Sequence, residues 1–196
     1  MTQATTLDIT VSAQVVSYVN KAIHYSSSEP SSYRGIVTVR ECVPTDVPTL
    51  STMVTDCQDC LMSMDPEHRM KRGEGFGPEY VKIMLQEIAE QSVTILICTI
   101  DNRPVGFAAS FICSRSAYDE LEYKPERMGR ISELYVVKEF RGNGIGSKLL
   151  SASEDILRAQ GCTRVDLGVM SWNTGAHMLY KKNGYAEQYI RMSKPL

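Results

Sequence analysis

Residues 141–147 read RGNGIGS and are the stretch of this chain best suited to hold a ligand. They follow a strand-like run, residues 130–137, and precede a helix-like run, residues 148–160. Glycines at alternate positions let a backbone approach a ligand without side chains in the way. The first turn of a helix also leaves several backbone N–H groups without intrahelical partners, which suits an anion. The pattern therefore predicts a loop that binds a phosphate-bearing cofactor.

Two cofactor classes fit this loop poorly. A nucleoside-triphosphate loop needs Gly, four residues and then Gly-Lys-Ser/Thr, whereas Lys148 here follows Ser147 and precedes a leucine. A dinucleotide fingerprint needs Gly-x-Gly-x-x-Gly; Gly142 and Gly144 supply its first two positions, but the third falls on Ser147. Asp166 lies about 20 residues on, as that fingerprint requires. The roughly 30 residues after it are too few for a second mononucleotide-binding half.

The loop resembles instead the signature of the GNAT superfamily of acetyl-coenzyme A-dependent N-acetyltransferases, Gln/Arg-x-x-Gly-x-Gly/Ala. Residues 141–146, RGNGIG, match that signature. A second motif of the family has an Asn seven residues before a Tyr, then a Gly and an aromatic residue. Asn173, Tyr180, Gly184 and Tyr185 match it. The resemblance covers residues 35–196.

The resemblance implies that acetyl-CoA binds as a co-substrate around the loop. Its pyrophosphate is expected on the loop's backbone N–H groups, and its pantetheine arm is expected to pair like an extra strand with the residues before the loop. The cofactor-binding residues so implied are Tyr135, Val136, Val137, Arg141, Gly142, Asn143, Gly144, Ile145, Gly146, Ser147, Asn173 and Tyr180. One amide among residues 135–137 is expected to polarise the thioester carbonyl. Asn173 is expected to contact the coenzyme arm, to cap the following helix, or both.

Acetyl transfer to an amine needs a base for the amine proton and an acid for the departing thiolate. The motif match implies Tyr180 as the acid, because a phenol with an unperturbed pKa of about 10 is protonated at neutral pH. Many bacterial relatives carry a Glu on the strand before Asn173, but Gly168 stands there in this chain. Glu133 interrupts an otherwise apolar strand and is the replacement candidate for the base. A structural ion pair, or a role in holding the substrate ammonium, stays open for Glu133.

Composition argues against several other functions. The 196 residues are 43% hydrophobic and 22% charged with a formal net charge of −2, which suits a globular domain and gives no support for nucleic acid as a partner. No apolar run approaches about 18 residues, so we expect no membrane span. The three histidines are scattered, and Cys57 and Cys60 form a Cys-x-x-Cys pair without a second pair. We therefore expect reduced thiols, no metal and a cytoplasmic location.

The elements that must position these residues follow a regular order from Gly35. Apolar periodicity predicts a strand, two helices, a β-hairpin, a strand, a helix, a strand, a helix and a strand. The strands are predicted at 36–40, 93–100, 105–113, 131–137, 164–169 and 185–192, and the helices around 50–61 and at 78–91, 148–160 and 174–182. With the resemblance, this order implies an α/β (α+β) GNAT fold. Its mixed, mostly antiparallel central sheet has about six or seven strands flanked by about four helices.

Residues 1–34 are predicted to be an extension to the N-acetyltransferase domain, residues 35–196. Apolar residues at helical spacing predict an amphipathic helix over residues 12–25, and a serine-rich linker follows at 26–32. We expect the helix to pack on the domain or on a second subunit, which leaves a homodimer open.

The sequence says least about the acceptor amine. Residues 63–79 and 114–129 are candidate walls of its site, and the second segment is rich in acids. If that segment faces the site, it favours a cationic amine, such as a polyamine, an aminoglycoside-like compound or a lysine side chain. We therefore expect acetyl transfer to a primary amine of a small cationic molecule. A protein N-terminal or lysine acetyltransferase and a non-catalytic acetyl-CoA-binding module are the alternatives.

Overall fold

A six-stranded sheet forms the centre of the protein in the computed structural model, which describes residues 23–25, 35–91 and 93–196. The strands lie side by side in chain order, and neighbours are antiparallel except for the parallel pair β5 and β6. Their bounds are β1 Ile23–Tyr25, β2 Val37–Glu41, β3 Thr94–Ile100, β4 Arg103–Ile112, β5 Met128–Val136 and β6 Arg164–Leu167. The predicted fold class, with its mixed and mostly antiparallel sheet, is confirmed.

Helices cover both faces of this sheet. Their bounds are α1 Val47–Met64, α2 Phe76–Gln91, α3 Ala117–Glu122, α4 Ile145–Ala159 and α5 Thr174–Lys182, with 3-10 turns at Pro44–Asp46 and Lys138–Phe140. Val54 of α1 and Val81 of α2 pack with Phe107 of β4 on one face. Leu149 of α4 packs with Ala108 on the other. Within the described ranges, no helix is long and apolar enough to cross a lipid bilayer.

Two predictions about the ends of the chain are wrong. Residues 23–25 end the predicted helix 12–25 but form β1, in which Ile23 pairs with Val39 of β2. The rest of that helix and the linker lie outside the described residues. Residues 185–192 are predicted to form a closing strand, yet no strand is found in residues 185–196 of the structure. A strand depends on a neighbour for its backbone bonds, and a local pattern does not reveal that neighbour.

The segment between β4 and β5, in which no helix is predicted, contains a short helix. The Asp119 N–H donates to the Ser116 hydroxyl at 3.1 Å, and the Ser116 N–H donates to the Asp119 carboxylate at 2.8 Å. This capping box starts the six-residue helix α3. Six residues are too few to give a clear periodic signal.

Candidate active site

A β-bulge at Ser132 turns the side chain of Glu133 toward α1 and α2. Ile131 and Glu133 of β5 pair with adjacent residues of β4, so Ser132 is the extra residue. Before the bulge, Ile131 packs against α4, whereas after it Tyr135 packs in the core beneath α1 and α2. Residues two apart share a face in a regular strand, so the bulge is the reason that Ile131 and Glu133 face opposite ways.

Glu133 is hydrogen-bonded to a side chain of α2, and its charge reaches side chains of α1 and α5. The Tyr80 hydroxyl of α2 donates a hydrogen bond to Glu133 Oε1 at 2.5 Å. Cys57 of α1 and Tyr180 of α5 are close enough to be affected by the charge of Glu133. Burial, then the nearby Glu133 and Cys60, raises the pKa of the Cys57 thiol to about 12. That thiol is therefore protonated at neutral pH and unsuited to act as a nucleophile.

Tyr180 approaches Glu133 from α5. Burial, then the nearby Cys57 and Glu133, raises the pKa of Tyr180 to about 12. Its hydroxyl therefore keeps its proton across the neutral range and can donate a hydrogen bond. Helix α5 starts at Asn173, whose Oδ1 accepts from the Ala176 N–H at 3.2 Å. Asn173 thus caps this helix, which is one of the two roles expected of it.

Part of the edge of β5 beside Glu133 has no neighbouring strand among the described residues. The parallel pairing with β6 ends where Ile131 lies opposite Leu167. On the other side of β5, pairing with β4 continues to Val136. Residues 132–136 therefore form an edge that a ligand with amide groups could pair with as a further strand.

Strand register decides which backbone groups point to this open edge. The Val137 N–H donates to the Val105 carbonyl of β4 at 2.9 Å. Backbone groups alternate sides along an antiparallel strand, so Tyr135 and Val137 direct theirs to β4. Leu134 and Val136 direct theirs to the open edge. Of the three residues predicted to lie along the coenzyme arm, Val136 is therefore the one whose N–H faces outward, and Leu134 joins it.

The Arg141 side chain lies across one end of the open edge. Its Nε donates to the Val136 carbonyl at 2.8 Å, and its guanidinium carbon lies 5.5 Å from the centre of the Tyr135 ring. Its two terminal nitrogens are each 3.6 Å from Cys60 Sγ on α1. Arg141 therefore ties β5 to α1 at the start of the glycine loop.

The glycine loop leads directly into the first turn of α4. Gly142 and Gly144 have φ angles of 80° and 75°, a left-handed conformation that glycine adopts without a steric penalty. The Asn143 amide donates to the carbonyls of residues 140 and 141 at 3.2 and 3.1 Å, which tightens the turn. The Lys148 N–H donates to the Gly144 carbonyl at 3.0 Å. The N–H groups of residues 145–147 come before Lys148, and a helix has no carbonyl that can accept hydrogen bonds from N–H groups at these first positions.

Gly146 and Ser147 join this loop to the helix that carries Tyr180. A Cβ at residue 146 would lie 2.9 Å from Leu179 Cδ2, so this glycine lets α5 pack closely on α4. The Asn183 amide at the end of α5 donates to the Ser147 hydroxyl at 3.0 Å. Gly146 therefore serves helix packing, a role that the alternate spacing of the glycines does not reveal.

The acid-rich segment 114–129 lies at the far end of β5 from the open edge. Gly129 pairs with Ile112 there, four residues from Glu133 and so about 13 Å away along an extended strand. Asp119 caps α3, and Glu126 lies 3.2 Å from the Arg164 guanidinium. These carboxylates serve local structure, so the expectation that they face the amine gains no support.

Tyr80 and Leu134 are site residues that sequence reasoning missed. Tyr80 is 53 residues from Glu133 in sequence, and it reads as one more apolar position of α2. The sequence gives Leu134 the pattern of an ordinary core residue. The register of β5 shows that its backbone groups point to the open edge. No group of three or more His, Cys, Asp or Glu side chains in the described part of the chain is placed to hold a metal ion.

Comparisons with known proteins identify the family of this chain. The model of the acetyltransferase (GNAT) family matches residues 59–185, which is more than half of the chain. An uncharacterised N-acetyltransferase of Methanocaldococcus jannaschii is 31% identical over 94 residues, which are 48% of this chain and 39% of that protein. The thialysine N-epsilon-acetyltransferase of Bos taurus is 39% identical over 54 residues, 28% of this chain and 32% of that protein. The chain thus spans less than two fifths of the length of each.

A solved structure extends the likeness of fold to most of the chain. The x-ray structure of a tetramutant protein from Bacillus halodurans superposes with a TM-score of 0.70 at 19% identity and covers 81% of this chain and 99% of that one. At that identity the likeness concerns the fold alone. The family match, over residues that include Glu133, the glycine loop and Tyr180, carries the assignment. This chain belongs to the acetyltransferase (GNAT) family.

Proposed function

We propose that this protein transfers an acetyl group from acetyl-CoA to a primary amine of a small cationic molecule. The family match supports the donor and the type of reaction. The thialysine N-epsilon-acetyltransferase relative supports an acceptor of this kind, because its name describes transfer to the terminal amine of a small lysine-like compound. The six free thiols of the described chain suit a reducing compartment, so we propose the cytoplasm as the site of the reaction.

The donor half of the proposed site combines the glycine loop with the open edge of β5. The coenzyme pyrophosphate binds at the loop, where the left-handed backbone at Gly142 and Gly144 leads into the free amides of the first turn of α4. The pantetheine arm then runs along the open edge and pairs with the outward backbone groups of Leu134 and Val136. One of these two amides donates to the thioester oxygen and stabilises the negative charge that develops on it.

In the proposed mechanism the acceptor amine attacks the thioester carbonyl directly. A nitrogen–carbon bond forms, the carbon–sulfur bond breaks, and the amine proton passes to the carboxylate of Glu133, directly or through water. Tyr180 donates a hydrogen bond from its hydroxyl to the departing sulfur. A phenol with a pKa of about 12 is a weaker acid than a thiol. Tyr180 therefore acts through a hydrogen bond to the developing thiolate, and solvent supplies the proton that the free thiol finally carries.

The observation that carries this proposal is the meeting of three features at one place. The base candidate Glu133 points away from α4 because of the bulge at Ser132. The open edge of β5 begins at the same residue. Burial, then the nearby Cys57 and Glu133, raises the pKa of Tyr180, so its hydroxyl stays protonated within range of the charge of Glu133. A proton acceptor, oriented amides and a hydrogen-bond donor for the departing sulfur are the groups that this mechanism needs.

Release of free thiol from acetyl-CoA tests the proposal. The full chain is incubated with acetyl-CoA and a panel that contains polyamines, aminoglycosides, lysine analogues, short peptides and neutral amines. We expect thiol release that depends on the amine and saturates, with the highest kcat/KM for a small cationic amine. Highest activity on peptide N-termini or peptide lysines would favour the protein-acetylating alternative. Coenzyme binding without thiol release from any amine would favour a non-catalytic module.

A further inference from the structure

Tyr80 contacts the proposed base and has no part in the mechanism so far. Its hydroxyl donates to Glu133 Oε1 at 2.5 Å, at the short end of the range for a hydroxyl bound to an ionised carboxylate. We infer that Tyr80 is a positioning residue, which fixes the carboxylate of Glu133 in one orientation and stabilises its ionised form. This inference rests on the proposed function, in which Glu133 accepts the amine proton.

The ring of Tyr80 is itself held in place. It packs against the Phe76 ring one turn earlier on α2, with the ring centres 5.4 Å apart, and the two rings border the core beneath α1 and α2. Its neighbour Val81 is fully buried in that core. A rigid ring gives its hydroxyl a fixed direction, which a positioning residue requires.

Close packing at Gly77 fixes the helix that carries Tyr80. A Cβ at residue 77 would lie 2.2 Å from the Ser51 carbonyl oxygen and 2.3 Å from Thr55 Oγ1, both on α1. The backbones of α1 and α2 therefore approach more closely than any side chain at residue 77 would allow. Tyr80 follows Gly77 by three residues, so this contact sets how far its hydroxyl reaches toward β5.

The hydrogen bond from Tyr80 should affect the pH at which Glu133 takes up a proton. Tyr80 of α2 donates to the carboxylate of Glu133. The charge of Glu133 also reaches Cys57 of α1 and Tyr180 of α5, and both of these groups keep their protons at neutral pH, with pKa values of about 12. A hydrogen bond donated to a carboxylate favours the ionised form. Loss of the Tyr80 hydroxyl should therefore shift the protonation of Glu133 to higher pH.

The test compares the full-length wild type with Tyr80→Phe, which keeps the ring and removes the hydroxyl. Tyr118→Phe is the matched control, because Tyr118 is 79% exposed on α3. In Tyr80→Phe we expect the acidic limb of the kcat/KM profile for the amine to move to higher pH. On that limb kcat/KM should fall by about tenfold, and on the high-pH plateau it should stay within about threefold of the wild-type value. The KM for acetyl-CoA should not change, and Tyr118→Phe should match the wild type throughout.

A second measurement needs no catalysis. The carboxyl carbon of Glu133 is followed by 13C NMR across pH in labelled protein and is assigned by its loss in Glu133→Gln. We expect a higher titration midpoint in Tyr80→Phe than in the wild type. An unchanged midpoint, or a uniform loss of kcat/KM at all pH values, would show that Tyr80 contributes packing alone and would contradict its role as a positioning residue. A wild type that transfers no acetyl group would contradict the proposed function, while this midpoint would still decide the role of Tyr80.

Discussion

The side-chain amide of Asn183 donates a hydrogen bond to the Ser147 hydroxyl at 3.0 Å and to the Leu179 carbonyl at 2.7 Å. Ser147 lies in the first turn of α4, behind the glycine loop, and Asn183 ends α5, three residues after Tyr180. One side chain therefore connects the proposed phosphate site to the helix that carries Tyr180. The glycine loop and Tyr180 are positioned together.

Replacement of Asn183 should weaken the contact between α4 and α5. Asn183→Ala removes two hydrogen bonds, and we expect the free energy of unfolding to fall by about 1–2 kcal/mol, measured by urea denaturation. Ser147→Ala should lower the free energy of unfolding by less, because Asn183 keeps its hydrogen bond to the Leu179 carbonyl. The two substitutions should couple in a double-mutant cycle, since they share one interaction. Strictly additive effects would contradict a direct connection between α4 and α5.

Tyr180→Phe tests the hydrogen bond from Tyr180 to the departing sulfur. The ring stays in place, so we expect the Kd for acetyl-CoA to remain within about twofold of the wild-type value, measured by isothermal titration calorimetry. Turnover should fall by about 10- to 100-fold, the loss expected when one hydrogen bond to a developing charge is removed. Tyr123→Phe is the matched control, because Tyr123 is exposed on the surface. Unchanged turnover in Tyr180→Phe would remove this residue from the mechanism.

Gly144→Asp tests the phosphate site. Residue 144 has a φ of 75°, which strains any residue with a Cβ, and a carboxylate there would repel the pyrophosphate. We expect acetyl-CoA affinity to fall at least about 100-fold, while the chain stays folded by circular dichroism. Gly73→Asp is the control, because it introduces the same side chain in open space at a glycine without a positive φ. This variant should bind acetyl-CoA with the wild-type affinity. Retained affinity in Gly144→Asp would argue against pyrophosphate at this loop.

The pair Arg40 and Asp46 should make stability depend on acid pH. The Arg40 guanidinium donates to both carboxylate oxygens of Asp46 at 2.6 and 2.8 Å, and the Val43 N–H donates to Oδ2 at 2.9 Å. These bonds, first of all those from Arg40, hold the pKa of Asp46 below its usual value. A lowered folded pKa adds stability above the unfolded value of about 3.9, and this contribution is lost as pH falls through the folded pKa.

Denaturation by urea at several pH values checks this dependence. Asp46→Asn should lower the free energy of unfolding by about 1–3 kcal/mol near neutral pH, and the difference from wild type should shrink toward low pH. Asp59→Asn is the control, because its pair with Arg72 is solvent-exposed on both sides and should change stability by less than about 1 kcal/mol. A difference that stays constant down to strongly acid pH would show that the charge of Asp46 is not responsible.

Local sequence patterns are sufficient for parts of this structure. Helix α5, Thr174–Lys182, has the predicted bounds, because an Asn cap begins it and Asn183 and Gly184 end it. The glycine loop lies between β5 and α4 as predicted, since left-handed turns and helix starts both leave strong local signals. These features depend on residues that are close together in the sequence.

Other parts depend on partners that the sequence does not reveal. Residues 130–137 contain no Gly or Pro, so no local signal indicates that the bulge at Ser132 places Ile131 and Glu133 on opposite faces. The contact between Tyr80 and Glu133 follows from packing α2 on the sheet. Strand β1 forms because β2 is beside it, in a stretch whose apolar spacing favours a helix. Tertiary context overrides local preference in each case.

The pH dependence of acetyl transfer by Glu133→Gln tests the central claim most directly. Glutamine keeps the size of the side chain and removes its ability to accept a proton. With the best amine of the panel, we predict that kcat/KM falls by about 10²-fold near neutral pH. The acidic limb attributed to Glu133 should disappear, and the rate should recover partly at high pH, where the amine loses its proton to solvent. An unchanged pH profile together with an unchanged rate at high pH would contradict the role of Glu133 as the base.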